Sequence, residues 1–219
     1  MKYRKCLALT VLFAVCMVTS AAPAAMQDDI DRAVSIIERF EEIPEKAIPP
    51  RVLRDAKGLA ILTVTKAGFV VSGRGGTGII IARTENGWSG PSAIGTGGVG
   101  VGFQAGVQVS EYVIILNTEE AVEAFSKGSN ITLGANLSAA VGPVGRSAEA
   151  GAAPRAAIYT YSRSQGIFAG VSLEGTVIAT RYQANEEYYG KPVYVSDILA
   201  GKVKAPDSAR KIVDVLSKY

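Results

Sequence analysis

Apolar residues recur first with the period of a helix and then with the period of a strand. Between Gln27 and Ile43, the residues Ile30, Ala33, Val34, Ile37 and Phe40 fall at i, i+3, i+4, i+7 and i+10, one face of an α-helix. Asp28, Asp29 and Asp31 crowd its first turn, where the helix dipole favours negative charge. Pro44 ends the pattern. A second short helix is predicted to open at Pro49-Pro50, to carry Lys57 in its last turn and to close on Gly58.

From Gly58 the pattern changes. Gly58 to Lys66 and Thr77 to Arg83 are β-branched, apolar runs bounded by glycine, and they predict strands. Glu85-Asn86-Gly87 is a hairpin turn, since Asn-Gly tolerates positive φ. Glycine then alternates with other residues from Ile94 to Val109, and 14 of the chain's 24 glycines lie between Gly58 and Gly106. Glycine weakens a strand, so this density implies coiling, bulges or close approach of another backbone. Tyr112 to Asn117 predicts another strand, and Thr118 caps a helix that runs to Lys127 and stops at Gly128. Further strands are predicted at 131–141, 156–163, 167–173 and 176–182. Glu186 and Glu187 beside Tyr188-Tyr189 mark a surface helix with a packed aromatic side. A last helix starts at Pro206 with Ala209, Ile212, Val213, Leu216 and Tyr219 on one face.

Helices around many short strands, without regular βαβ alternation, predict an α+β fold. Its core is a strongly curled, antiparallel, glycine-rich sheet or a barrel-like closure of it, flanked by N-terminal, middle and C-terminal helices. An outer-membrane barrel does not fit, because 61–62, 79–81 and 113–116 are apolar on both faces where such barrels alternate.

The first residues predict export. Lys2, Arg4 and Lys5 precede an apolar stretch from Cys6 to Val18, and Ala22-Pro23-Ala24 supplies a cleavage site. The stretch is too short for a membrane span, which takes about 20 residues. The reading divides the chain into a signal peptide, 1–24, and one domain, 25–219, with a helical part at 25–57 and a β-rich core from 58 that ends in the last helix. The expected location is periplasmic or extracellular, peripheral to a membrane. A lipoprotein anchored through Cys16 is the alternative, weakened by Val15 before it. Removing Lys2, Arg4 and Lys5 takes the 23 basic residues to 20, against 20 acidic ones, so no global field would draw in nucleic acid.

Both cysteines lie within the leader and the chain has no histidine. The domain therefore lacks a Cys/His zinc site, a cysteine nucleophile and a Ser-His-Asp triad. No cofactor or metal is expected. Gly73, Gly75 and Gly78, and likewise Gly95, Gly97 and Gly100, fit a dinucleotide spacing. A strand follows each, however, where a helix N-terminus would have to hold the pyrophosphate. Glu119/Glu120 and Glu186/Glu187 are neighbours that point in different directions on a helix, so neither makes a catalytic pair.

Several blocks resemble the SYLF domain family: 56–62 (AKGLAIL), the Gly73–Gly78 run, 87–92 (GWSGPS), 142–146 (GPVGR), 159–175 (YTYSRSQGIFAGVSLEG) and Tyr189-Gly190. They run in order across nearly the whole domain. The resemblance implies a non-enzymatic module that binds lipid: eukaryotic members bind phosphoinositides in membrane and actin-patch proteins, and bacterial members are exported. In eukaryotic members an amphipathic N-terminal helix with basic residues is associated with membrane attachment. Here the matching helix carries six acids and two arginines, the opposite of a membrane-seeking polar face.

The next segment is the better candidate. Lys46, Arg51, Arg54 and Lys57 outnumber Glu45 and Asp55, and Arg74 sits in a glycine-rich run whose backbone N–H groups could face a phosphate. These five residues are the expected binding site for an anionic phospholipid or membrane surface. An unidentified envelope protein is the alternative partner, and a carboxylate- or tyrosine-dependent hydrolase ranks last.

Overall fold

The computed structural model describes residues 26–42, 47–128, 131–132, 139–141, 156–166 and 177–219. In chain order the elements are α1 (Met26–Glu41), α2 (Pro50–Asp55), β1 (Gly58–Thr84), β2 (Gly87–Trp88), β3 (Ser92–Leu116), α3 (Glu119–Ser126), β4 (Ile131–Thr132), β5 (Ala139–Val141), β6 (Ile158–Gly166), β7 (Val177–Thr180), α4 (Tyr182–Tyr189), α5 (Val195–Leu199) and α6 (Arg210–Leu216), the last preceded by a 3₁₀ turn at Asp207–Ala209. The expected strand at 167–173, Pro44 and the 142–146 block lie outside the described residues.

Two strands organise the sheet. β1 has 27 residues and β3 has 25, and they pair antiparallel from Gly58↔Leu116 to Ile80↔Ser92, with a register shift between Phe69 and Val71. Sequence pattern divides each into two runs, yet the ladder continues through both, because the glycines between the runs stay in extended backbone. A straight strand of that length would span about 90 Å at ~3.3 Å per residue. β1 instead returns on itself. A Cβ on Gly78 would overlap the Ile61 carbonyl and sit 2.6 Å from Leu62 Cα, and one on Gly76 would sit 2.9 Å from Val64 Cα. Only glycine admits this approach of backbone to backbone.

β3 pairs β6 along 108–116 and β7 along 94–97, and the path β2-β1-β3-β6-β5 carries β7 and β4 as a side branch. Pairing is antiparallel apart from β5 with β6. The class is mixed helix and sheet as expected, and among the described residues the seven-stranded sheet is open rather than closed into a barrel.

The runs that are apolar at every position are explained by burial on both faces. Leu59, Ile61, Ile79, Ile81, Val113 and Ile115 join α1, α2 and α6 in one core. Their neighbours Ala60, Leu62, Ile80, Ile114 and Leu116 join α3 and α5 in the other. Period-two alternation is thus present, but both phases are apolar. α1 closes the first core with Ile30, Val34, Ile36 and Ile37, each at most 1% exposed. Each contributes roughly 1.5–3 kcal/mol by burial.

α2 ends differently from the expectation. Its C-cap is Ala56 in extended backbone, so Lys57 lies beyond the last turn and Gly58 opens β1 instead of terminating the helix. A helix end must find donors for its last carbonyls. Arg83 supplies them in place of a glycine cap, donating to the carbonyls of Ala56 at 3.2 Å and Leu53 at 3.4 Å. α4 is the helix expected around Tyr188-Tyr189, and α5 stands where the pattern marks no element. Gly128, with φ +63°, follows α3 as expected.

Candidate functional site

α2 is a six-residue helix anchored by one buried side chain, Leu53. Val52 packs half-buried on the first core, and the remaining positions face outward. Arg51 is paired with Asp55 at 3.5 Å and Lys57 with Glu119 at 3.6 Å, both on the surface, and Arg54 is exposed. Such exposed pairs hold together by about 0–1 kcal/mol and exchange partners readily. Lys46 lies outside the described residues. Arg74 is half-buried on β1 opposite Gly98, with its Nε 2.8 Å from where a Cβ on that glycine would be. Arg51, Arg54 and Lys57 are thus exposed on and just after α2, whereas no described contact joins Arg74 to them. The Gly73–Gly78 run is laddered strand, so it forms no loop of N–H groups around a phosphate.

Lys57 also borders a cleft of ≈ 1010 Å³ between the β1–β2 hairpin, α3 and the chain around Lys202 and Lys204. Within it the Arg83 guanidinium lies 4.3 Å from the centroid of the Trp88 ring. This is a cation–π contact, and burial holds the Arg83 pKa below its ordinary value. Trp88 packs on the first core, and its buried Nε1 has no hydrogen-bond partner among the described residues. Glu119 and Glu123 on the α3 rim face Lys57 and Lys127. In the first turn of α3, Thr118 accepts from the Ala121 amide, as an N-cap does. Hydrogen bonds from the backbone and from Thr118 hold Glu120 below the usual carboxylate range.

Sequence reasoning misses a second constellation. Asp29, 2% exposed, accepts from Thr77 Oγ1 at 2.6 Å and from Arg181 Nη1 at 2.7 Å, with Arg32 at 3.5 Å. Burial raises its carboxyl pKa, although Thr77 and Arg181 oppose the shift. Beside it Asn185, fully buried, accepts from the Ala93 amide and donates to Ser92 Oγ. This network bolts α1 to β1 and to the start of α4. The signal is in the spacing: 29, 33, 36, 37 and 40 lie on one helical face, so Asp29 faces the core and not the solvent.

A family model described as "Ysc84: Las17-binding protein actin regulator" matches residues 97–219. The human SH3 domain-containing YSC84-like protein 1 is 47% identical over 205 residues, covering 90% of this chain and 60% of the relative. Protein YSC84 of Saccharomyces cerevisiae is 44% identical over 209 residues, covering 91% and 45%. LAS seventeen-binding protein 3 of the same species is 42% identical, covering 91% and 46%. This chain thus spans 60% of the human relative and less than half of the yeast ones. The family description and the name of LAS seventeen-binding protein 3 both refer to binding, and the former also to actin regulation.

The matches overturn the exported, periplasmic or extracellular location. That expectation rested on the leader alone, whereas the relatives that match 90% of the chain are eukaryotic proteins of an actin-regulator family. The lipoprotein alternative and the envelope partner fall with it. Among the described residues, no helix is long and apolar enough to cross a membrane. The blocks GWSGPS and YTYSRSQG, the match over 97–219 and the likeness to the human and yeast proteins across nine-tenths of the sequence agree, and the chain belongs to the Ysc84 family, the family of the SYLF domain.

Proposed function

We propose that this chain is a non-catalytic binding domain that docks on anionic phospholipid through the surface formed by Arg51, Arg54 and Lys57, with Lys46 just ahead of them in sequence. The observation that carries the reading is the contrast between neighbouring helices. α1 turns its whole apolar face into the core, while α2 buries only Leu53, with Val52 half-buried beside it, and presents its arginines to solvent. A basic residue near an anionic surface contributes about 1 kcal/mol, so a group of three or four gives modest binding that salt screens. Arg74 belongs to a different part of the fold and is left out of this surface. Co-sedimentation with vesicles tests the reading: the chain binds phosphatidylserine-containing vesicles at low salt, releases them as salt rises, and ignores pure phosphatidylcholine.

A second reading, docking of a protein partner, is favoured by the Las17-binding names of the relatives and by two exposed tyrosines. Tyr182 and Tyr194 are 54% and 76% exposed beside a smaller cleft at the end of α3. A wild-type chain that ignores anionic vesicles at every salt concentration favours this second reading.

A further inference from the structure

Arg83 borders the cleft of ≈ 1010 Å³ with hydrogen-bonding capacity left over. A guanidinium carries five N–H donors in a fixed fork. Arg83 Nε donates to Ala56 and Nη2 to Leu53, while Nη1 makes no hydrogen bond among the described residues. The Trp88 ring, 4.3 Å from the guanidinium carbon, holds the group in place. Burial alone lowers the arginine pKa, with no carboxylate close enough to oppose the shift. A charge taken partly out of water without a counter-charge is costly, so the free edge of the fork is set for an anion.

The other charges around the cleft agree in sign. Lys57 pairs with Glu119, Glu123 with Lys127 and Lys202 with Asp197. Outside these pairs the lining holds Arg83, the exposed Lys204 and, at the hairpin turn, Glu85, a positive balance. The cleft also continues beyond the hairpin. Glu123, Ser126 and Ser196 line both it and the smaller cleft of ≈ 390 Å³, so the two form one groove along α3 and α5 that ends at Tyr182 and Tyr194. Tyr182 donates its hydroxyl to the Gly128 carbonyl at 2.8 Å, which fixes an exposed ring as a rigid apolar wall.

We propose that this groove docks an extended peptide segment of a protein partner, with an aspartate or glutamate side chain seated on Arg83 and an apolar or aromatic residue against Tyr182 and Tyr194. The inference rests on the protein-docking reading above and names the chemistry of that partner. The carboxylate takes the unused N–H groups of Arg83, and Lys204 adds attraction from the rim. A small free carboxylate would reach the arginine and leave the tyrosines uncovered. A peptide in extended backbone, advancing about 3.3 Å per residue, reaches both ends. Arginine and tyrosine are also the side chains on which protein interfaces most often concentrate their binding energy.

Peptides selected on the wild-type chain from a phage-displayed random library, resynthesised and measured by fluorescence polarisation, test it. The selected sequences share an aspartate or glutamate a few residues from an apolar or aromatic side chain. Replacing that acid by its amide weakens binding at least about tenfold, the loss expected for a charge-assisted hydrogen bond. Arg83→Lys, which keeps the charge and loses the fork, weakens it to the same degree. Because Arg83 also caps α2, two exposed positions give independent readings that do not endanger the fold. Lys204→Glu weakens binding about threefold and lowers its salt dependence, and Tyr194→Ser weakens it about fivefold. Melting curves accompany all three variants. Selected peptides without an acidic residue, or acidic ones that bind Arg83→Lys and Lys204→Glu as tightly as the wild type, overturn the Arg83 anchor and leave the protein-docking reading standing. Binding that responds to Arg83→Lys and not to Tyr194→Ser overturns the extended groove. If no sequence is enriched, the proposal and the protein-docking reading fall together.

Discussion

α1 and α2 are both charged helices at the N-terminal side of the same core, and they use charge in opposite ways. α1 sends two of its charges inward or across to neighbours, Asp29 to Arg181 and Arg39 to Glu111, and leaves Asp28, Asp31, Glu38 and Glu41 exposed. α2 keeps Arg51 and Arg54 in solvent and buries a single leucine. Charge counting sets the two segments against each other as acidic and basic, which is right but incomplete. The difference that matters is where each side chain ends, since a buried charge holds the fold together and an exposed one is available to a partner.

The largest effect expected on this contrast is at Asp29. Asp29→Ala removes the carboxylate partner of the Arg181 side chain, which is 17% exposed. Truncating one partner of a buried pair costs about 3–5 kcal/mol. Chemical denaturation reads it directly; a loss below about 1 kcal/mol, typical of an ordinary substitution, would mean the α1 network is ornamental. Ile37→Ala follows at about 2–5 kcal/mol, because the cavity it leaves cannot collapse against the sheet. Leu53→Ala probes the other helix and falls at the low end, about 2 kcal/mol. α2 has no further buried residue to disturb.

A pH series reads the buried charge on its own. Because burial raises the Asp29 pKa above 3.8, the folded chain keeps that proton to higher pH than the unfolded chain does. The stabilisation from this group is full below the unfolded value and is lost as pH rises through the folded one. Asp29→Asn therefore flattens the fall in stability above pH ~4. An unchanged slope in that variant contradicts the assignment of the shift to Asp29. Smallest of all is the effect of Arg51→Ala and Arg54→Ala on stability, within about 0.5 kcal/mol each, as for any surface change with one weak pair or none.

Where pattern has a single physical cause, the fold is legible in the chain. The α1 face, the Asn86-Gly87 turn, the Thr118 cap and the aromatic helix at Tyr188-Tyr189 all follow from local spacing, and each is present. The continuity of β1 and β3 through their glycines is not legible. A glycine that breaks a strand and a glycine that lets one cross itself look alike until Ile61 and Leu62 are seen against Gly78. Lys57 is misplaced for a related reason: Gly58 invites a helix stop, and nothing local announces that Arg83, far along the chain, does the capping. The α2 arginines can be named from charge alone. Asp29 cannot be singled out, since its role arises only when α1, β1 and the start of α4 are brought together.

The decisive experiment compares vesicle binding of Arg51→Glu/Arg54→Glu with that of Ile30→Asn/Phe40→Asn across a salt series, with the melting temperature of each. The arginine variant is expected to keep its melting temperature, lose binding to phosphatidylserine vesicles and show no remaining salt dependence, while the helix variant melts far lower. An arginine variant that binds as the wild type does, together with a helix variant that stays folded and loses binding, would place membrane contact on α1 and rule out the division of labour between the two helices.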